Sequence, residues 1–271
     1  MTEFDKDLEL MDQPEIIYRL FFPRREDPMD PRPRNGAAHL IEVAEGISIG
    51  CRFYPAGKDV PTILYFHGNG EIASDYDYVA PLYQQCSINL FVADYRGYGL
   101  SGGSPSCSAV IRDAHPVFQG FVTFLRDGGY GGGLFVMGRS LGSAPAIEVA
   151  YHYQHHLQGL IVESGFAGQQ KQLARLGVTH LFRDVEHVVG FGNEMKIKDI
   201  RIPTLIIHGE ADELIPATEG RALYALSGAA EKKALFVPGA GHNDLMERGR
   251  EEYMRSITVF TRSAGLRQGI E

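Results

Sequence analysis

The sequence is poor in cysteine, has no excess of positive charge, and contains no apolar run long enough to cross a bilayer. Its three cysteines, Cys51, Cys86 and Cys107, are an odd number without C-x-x-C spacing. Neither a disulfide framework nor a zinc site is expected from them. Against 34 acidic residues stand 26 basic ones, a formal net charge of −8. That balance argues against broad nucleic-acid binding, which needs a cationic surface. It also disfavours anionic membranes, leaving room only for a local basic patch. The opening stretch MTEFDKDLEL is acidic and has no apolar centre, so no secretory leader is expected. No transmembrane segment is expected either, and no internal repeat is found. These absences predict a soluble protein of a reducing compartment, the cytoplasm.

The hydrophobic residues make up 44% of the 271, enough for a full core. A chain of this length buries roughly three quarters of its unfolded surface. Residues 26–36, EDPMDPRPRNG, are rich in proline and charge and read as an exposed loop. The preceding IIYRLFFPR is too apolar for a free tail and is expected to pack on the domain. From residue 37 the pattern becomes regular. HLIEVAEGISIGCRFYP reads as two strands around a tight turn at Glu45-Gly46.

Six short apolar runs follow: TILYFHG (62–68), NLFVADYRG (89–97), GLFVMGRS (133–140), GLIVESG (159–165), PTLIIHGE (203–210) and ALFVPGAGH (234–242). They are continuous rather than alternating, as strands covered on both faces must be. Helical stretches near 74–86, 108–127, 141–156, 217–227 and 244–263 separate them. Such alternation predicts an α/β fold with a mostly parallel central sheet flanked by helices. The longer interval 165–199 predicts a small cap. In such sheets ligands bind beyond the carboxyl ends of the strands, so the polar residues after each run carry the interest.

GRSLG fits G-x-S-x-G between a predicted strand and a helix-capable segment. That is the setting of a nucleophile elbow, with Ser140 projecting from the sheet. The glycines let neighbouring backbones approach without a Cβ, and the new helix aims its N-terminal amides at the site. The competing reading is a serine that only caps the helix. A serine nucleophile needs a base, which needs an orienting acid. IIHGEAD puts Asp212 just beyond one strand, and VPGAGH puts His242 just beyond the next. Two other carboxylates compete with Asp212: the adjacent Glu213, whose side chain should point elsewhere, and above all Glu163, one strand earlier. For an oxyanion, the backbone N–H of Leu141 is one candidate donor. The N–H of Asn69 in HGNGE is the other, with Gly70 close behind, although HGNG alone is a plain turn.

YFHGNGE, ADYRGYGLSGG, GRSLGSAPAIEVA, LIIHGEADELIP and PGAGHND together resemble the α/β-hydrolase superfamily over about residues 37–263. The resemblance is nearest to single-domain, short-cap members: esterases, acyl-protein thioesterases and peptidases. It implies an α/β-hydrolase fold over 37–271 with a cap insertion at 165–199, and leaves 1–36 as an N-terminal extension. It also implies a catalytic Ser140–His242–Asp212 triad in the family's chain order and a small-molecule acyl substrate, with no cofactor or metal. Hydrolysis of carboxylic esters or thioesters is the leading expectation. An aminopeptidase using the same triad is the alternative, and it would need a carboxylate for the substrate ammonium, from Glu163, Asp184 or Glu186. A non-catalytic ligand receptor is a third.

The resemblance makes DYRGYGLSGG mainly a structural turn, which leaves Asp94 and Arg96 outside catalysis and Tyr98 as a possible pocket residue. His67 and His208, each before a glycine at a strand end, read as structural. His152 and His156 in YHYQHH share a helical face, but no third metal ligand is evident. GGYGGG (128–133) precedes a strand instead of following one, against the order for dinucleotide binding. The cap residues Phe166, Leu173, Leu176, Leu181, Phe182 and Phe191 are apolar and suit either an acyl pocket or packing of the cap.

Overall fold

A computed structural model describes residues 8–27, 29, 35–168, 173–182 and 190–265. Asp184 and Glu186, two of the candidate ammonium partners, lie outside the described residues. Eight strands form one sheet: β1 (Ala37–Ala44), β2 (Ile47–Tyr54), β3 (Thr62–Phe66), β4 (Asn89–Ala93), β5 (Leu134–Arg139), β6 (Gly159–Glu163), β7 (Thr204–Gly209) and β8 (Lys232–Val237). Their order is β1-β2-β4-β3-β5-β6-β7-β8. β1 and β2 are an antiparallel hairpin turning at Glu45-Gly46, and β2 pairs antiparallel with β4. All later pairings are parallel.

The continuous apolar runs have a simple cause. Alternate residues of each central strand enter two different cores. Leu64 and Phe66 of β3, Phe91 and Ala93 of β4, and Leu160 and Val162 of β6 face one layer. Ile63 and Tyr65, Leu90 and Val92, and Ile161 face the other. Both faces are covered, so neither set of positions is polar.

The helices are α1 (Pro14–Leu20), α2 (Ala80–Gln85), α3 (Cys107–Arg112), α4 (Ala114–Asp127), α5 (Ser143–Tyr153), α6 (Asn193–Lys196), α7 (Ala217–Leu226) and α8 (Leu245–Gly265). The helix expected over 108–127 is two helices meeting at Asp113, whose carboxylate takes a bidentate pair from Arg96, both contacts at 2.7 Å. Among the described residues no helix is long and apolar enough to cross a membrane. Cys51 and Cys107 are buried, Cys86 is half-buried, and all three are free thiols.

The strand order positions the site. β3 lies between β4 and β5, so the chain leaves β3 towards one edge and later returns to β5 on the other side. The loops after β3 and β5 therefore diverge and open a crevice at the carboxyl edge. The segment before β1 reaches this crevice. Leu8, Met11, Ile16 and Phe21 are buried in the core, and Arg25 bridges to Gly99 beside the loop after β4.

Candidate active site

β5 ends at Arg139, and Ser140 begins the single 3-10 turn that leads into α5. Ser140 has φ +52°, a left-handed conformation that costs a non-glycine residue energy and marks an imposed geometry. The two glycines of the motif have measurable reasons. A Cβ on Gly138 would stand 2.0 Å from the Gly142 carbonyl oxygen, and one on Gly142 would stand 2.0 Å from that of Phe66. The turn thus lies directly on β3, and only backbone fits between.

Asp212 follows β7 and His242 follows β8. The structure brings both to Ser140. His242 Nε2 is 3.0 Å from Ser140 Oγ, and His242 Nδ1 is 2.7 Å from Asp212 Oδ2. A carboxylate can only accept, so Nδ1 carries the proton and the serine hydroxyl donates to Nε2. Asp212 also accepts from the backbone N–H groups of Leu214 at 2.9 Å and Ile215 at 2.7 Å. Burial alone would raise its carboxyl pKa; the bonds from His208, His242 and Ile215 outweigh burial and hold it well below the ordinary range. All three side chains are buried.

Glu163 stands elsewhere. Its carboxylate accepts from Tyr253 at 2.6 Å and Tyr65 at 3.3 Å and pairs with Arg139 at 3.2 Å. It has no bond to His242. Glu213 is solvent-exposed. The two strand-end histidines are bonded into the fold. His67 lies 3.2 Å from Asp94 and 2.7 Å from the Gly68 carbonyl, and His208 bonds the Ile215 carbonyl at 2.8 Å and comes within 3.4 Å of Asp212.

Asn69 and Leu141 line the same cavity as Ser140. Leu141 is the second residue of its helical turn, where an N–H has no acceptor within the helix. The Asn69 side chain is tied to the N-terminal segment and to Tyr98. Its Oδ1 accepts from Tyr98 Oη at 2.7 Å and Phe22 N at 3.1 Å, and its Nδ2 donates to the Leu20 carbonyl. Tyr98, expected as a possible pocket residue, is instead buried behind Asn69 as an anchor.

The cavity holds about 310 Å³. Phe166, Leu176 and Phe191 from the interval 165–199 line it, as do Leu20 and Phe22 from the N-terminal segment. The other apolar residues of this interval, Leu173, Leu181 and Phe182, pack against the core. The expected packing of IIYRLFFPR on the domain is seen, but its place on the wall beside Ser140 has no motif to mark it and depends on the segment folding back over the sheet.

Arg139 was also missed. It lines a separate cavity of about 200 Å³ that reaches His242 but not Ser140. Its guanidinium donates to the His242 carbonyl at 2.8 Å and to Asn243 Oδ1 at 2.9 Å, and pairs with Glu71 and Glu163. Glu71 in turn accepts from the Gly68 N–H at 3.0 Å and from Tyr76 at 2.7 Å. Burial works against the Glu71 charge, but Arg139 and His67 outweigh it and keep its pKa below the ordinary value. One buried cation therefore joins the loops after β3, β5 and β8.

The histidine spacing in YHYQHH has a different use from the one weighed on sequence. His152 pairs with Glu148, one helical turn earlier, at 3.1 Å, and His115 of α4 reaches the same carboxylate at 3.0 Å. The ligand atoms of these three residues lie within 4.8 Å of one another. Lys196 of α6 pairs with the second oxygen of Glu148, so an ammonium already holds the cation position beside this carboxylate.

An open mostly parallel sheet, a strained serine after β5 and an acid and a base after β7 and β8 define the α/β-hydrolase class. Within it, the chain belongs to the family described as serine aminopeptidase, S33, whose model matches residues 57–190 and 193–249. It is an α/β serine hydrolase. The protein bem46 of Schizosaccharomyces pombe is 28% identical over 86% of this chain and 80% of its own. Human alpha/beta hydrolase domain-containing protein 17B is 29% identical over 82% of this chain and 73% of its own. Among solved structures, an esterase of Pyrococcus furiosus matches with TM-score 0.70 and 18% identity, covering 91% of this chain and 98% of that one. The esterase Est1E of Butyrivibrio proteoclasticus with bound ferulic acid matches with TM-score 0.67 and 16% identity, covering 84% and 99%. At these identities the structural matches speak for the fold.

Proposed function

We propose that this hydrolase cleaves carboxylic esters or thioesters of apolar acyl groups, with Ser140 as nucleophile, His242 as base and Asp212 as the orienting acid. The observation that carries the reading is the Ser140–His242–Asp212 relay, with contacts of 3.0 and 2.7 Å, opening into an apolar cavity.

Ser140 Oγ attacks the acyl carbon and passes its proton to His242 Nε2. The tetrahedral oxyanion takes hydrogen bonds from the Asn69 and Leu141 amides, each donor worth about 3 kcal/mol in the transition state. The C–O or C–S bond breaks, and the alcohol or thiol leaves with the proton from His242. A water, deprotonated by His242, then attacks the acyl carbon; the bond to Ser140 breaks as His242 returns the proton to its Oγ, and the acid is released. Asp212 stays ionised throughout and stabilises the imidazolium. Residues 165–199 act as a cap over the acyl chain, supported by Phe166, Leu176 and Phe191 on the cavity wall.

The aminopeptidase reading has the family's description in its favour. It requires a carboxylate facing the acyl pocket. Glu163 is committed to Tyr253, Tyr65 and Arg139, and none of the described residues lining the cavity beside Ser140 is acidic. That favours esters and thioesters over aminoacyl substrates.

A fluorophosphonate probe should label the wild type and leave Ser140→Ala unlabelled; equal labelling would remove Ser140 as nucleophile. Faster turnover of amino-acid anilides than of matched nitrophenyl esters would reverse the choice of substrate. Tight ligand binding with no turnover of either would favour the receptor reading.

A further inference from the structure

The cavity beside Ser140 has a charge pattern opposite to that of the molecule. The chain carries a net −8. Yet the charged residues described on this cavity wall are two arginines, Arg19 and Arg175, and no carboxylate. The rest of the wall is apolar apart from Asn69 and Ser140.

Arg19 comes from α1 and donates to the Leu176 carbonyl at 3.2 Å, which ties the N-terminal segment to the cap. Glu15, outside the cavity wall, pairs with Arg19 at 3.1 Å and offsets part of its charge. Arg175 is exposed and has no ion-pair partner among the described residues. Both guanidiniums are exposed, so solvent screens part of their field, and they act on a ligand anion by direct contact at short range. A guanidinium presents a planar fork of donors that matches carboxylate, phosphate or sulfonate oxygens.

We propose that the enzyme selects acyl substrates that themselves bear an anionic group. The apolar chain occupies the Phe166–Phe191 side, and the anion is held at the mouth by Arg175 and, less strongly, by Arg19. This assignment rests on Ser140 being the nucleophile and goes beyond it by naming the substrate's charge. It also supplies a reason for the lack of acid on the described wall: a carboxylate there would repel the same substrate.

The test compares kcat/KM for two matched pairs of water-soluble esters. One pair differs in leaving-group charge: 4-nitrophenyl butyrate against its 3-carboxy-4-nitrophenyl analogue. The other differs at the acyl terminus: 4-nitrophenyl octanoate against the mono-4-nitrophenyl ester of suberic acid. The anionic member of at least one pair should be preferred about tenfold, the scale of one charge-assisted contact. The preference should shrink in 0.5 M salt. It should fall further in Arg175→Gln than in Arg19→Gln, and rise in Glu15→Gln, which frees Arg19. Octanoate should inhibit the wild type more strongly than octylammonium, a comparison that needs no variant to fold. Equal rates within both pairs, or a preference that survives the double arginine variant, overturns the proposal. So does a preference seen only when neutral ester is presented on anionic phospholipid vesicles, because the charge would then belong to a lipid surface. If Ser140 takes no fluorophosphonate and no ester is cleaved, the failure lies in the nucleophile assignment, a result separable from flat charge selectivity in a labelled, active enzyme.

Discussion

Arg139 adjoins the proposed nucleophile in the chain and holds the other two loops of the site through its side chain. Its hydrogen bond to the His242 carbonyl fixes the backbone that carries the proposed base. Its pair with Glu71 fixes the loop that carries the Asn69 amide. It does not line the cavity where the acyl chain would bind. Arg139→Gln should therefore lower kcat on the order of 10- to 100-fold, the effect of a small misplacement of reacting groups, with little change in KM for a short neutral ester. Arg139→Lys should recover little, because an ammonium is a point charge and cannot fork among four partners. A steady-state titration of both variants checks this, and a rise in KM with unchanged kcat would contradict the positioning role. The meeting of Ser140, Asp212 and His242 was legible in the sequence because each follows its own apolar run within a few residues. Arg139 was not, because its partners Glu71 and His242 lie 68 and 103 residues away. Nothing in GRSLG itself announces them.

At the level of elements, the crossing of β3 by the turn after β5 is the tightest fit in the site. Gly142→Ala would drive a methyl group into the Phe66 carbonyl oxygen, and neither backbone segment can move without moving Ser140. The expected cost is about 1–3 kcal/mol in stability, as for other overpacked sites, together with loss of fluorophosphonate labelling. Urea unfolding measured beside labelling separates the two effects; an unchanged midpoint with full labelling would contradict the steric account. The strands and their parallel order could be read from the sequence because two covered faces leave unbroken apolar runs. The division of 108–127 into α3 and α4 has a local signal in Pro116, which has no N–H to give the Arg112 carbonyl and whose ring crowds it. The Arg96–Asp113 pair at the junction has none, because Arg96 comes from the loop after β4. The same holds for Tyr98, whose burial behind Asn69 follows from Phe22 arriving from the other side.

At the level of the whole molecule, one carboxylate joins three helices. Glu148 of α5 meets His115 of α4 and Lys196 of α6, with His152 beside it. Burial by itself would raise the Glu148 pKa, but the His115 bond and the Lys196 charge outweigh burial and hold it down at about 2. A carboxyl lowered on folding stabilises the native state at pH values above its unfolded pKa, and that stability is lost as pH falls towards the folded value. The window here runs from about pH 4.5 down to about 2, and the contribution at neutral pH is on the order of 3 kcal/mol. Asp212, also lowered, adds to the loss in the same direction. Glu148→Gln should thus be clearly less stable than the wild type at pH 7, and the gap should narrow by pH 3. Chemical unfolding at both pH values measures it, and a gap independent of pH would refute the assignment.

The groups proposed to make and break bonds all stand at the ends of sheet strands. Much of the described cavity wall around them comes from two segments outside the sheet, through Arg19, Leu20 and Phe22 and through Phe166, Arg175, Leu176 and Phe191, with Leu214 and Ile215 added from the loop after β7. The proposed chemistry and most of the proposed substrate contacts therefore lie on different parts of the chain, meeting at Leu214 and Ile215, which line the cavity and also bond Asp212. Over evolutionary time a lineage can exchange or reshape those two segments and acquire a new diet while the machinery beneath is inherited unaltered.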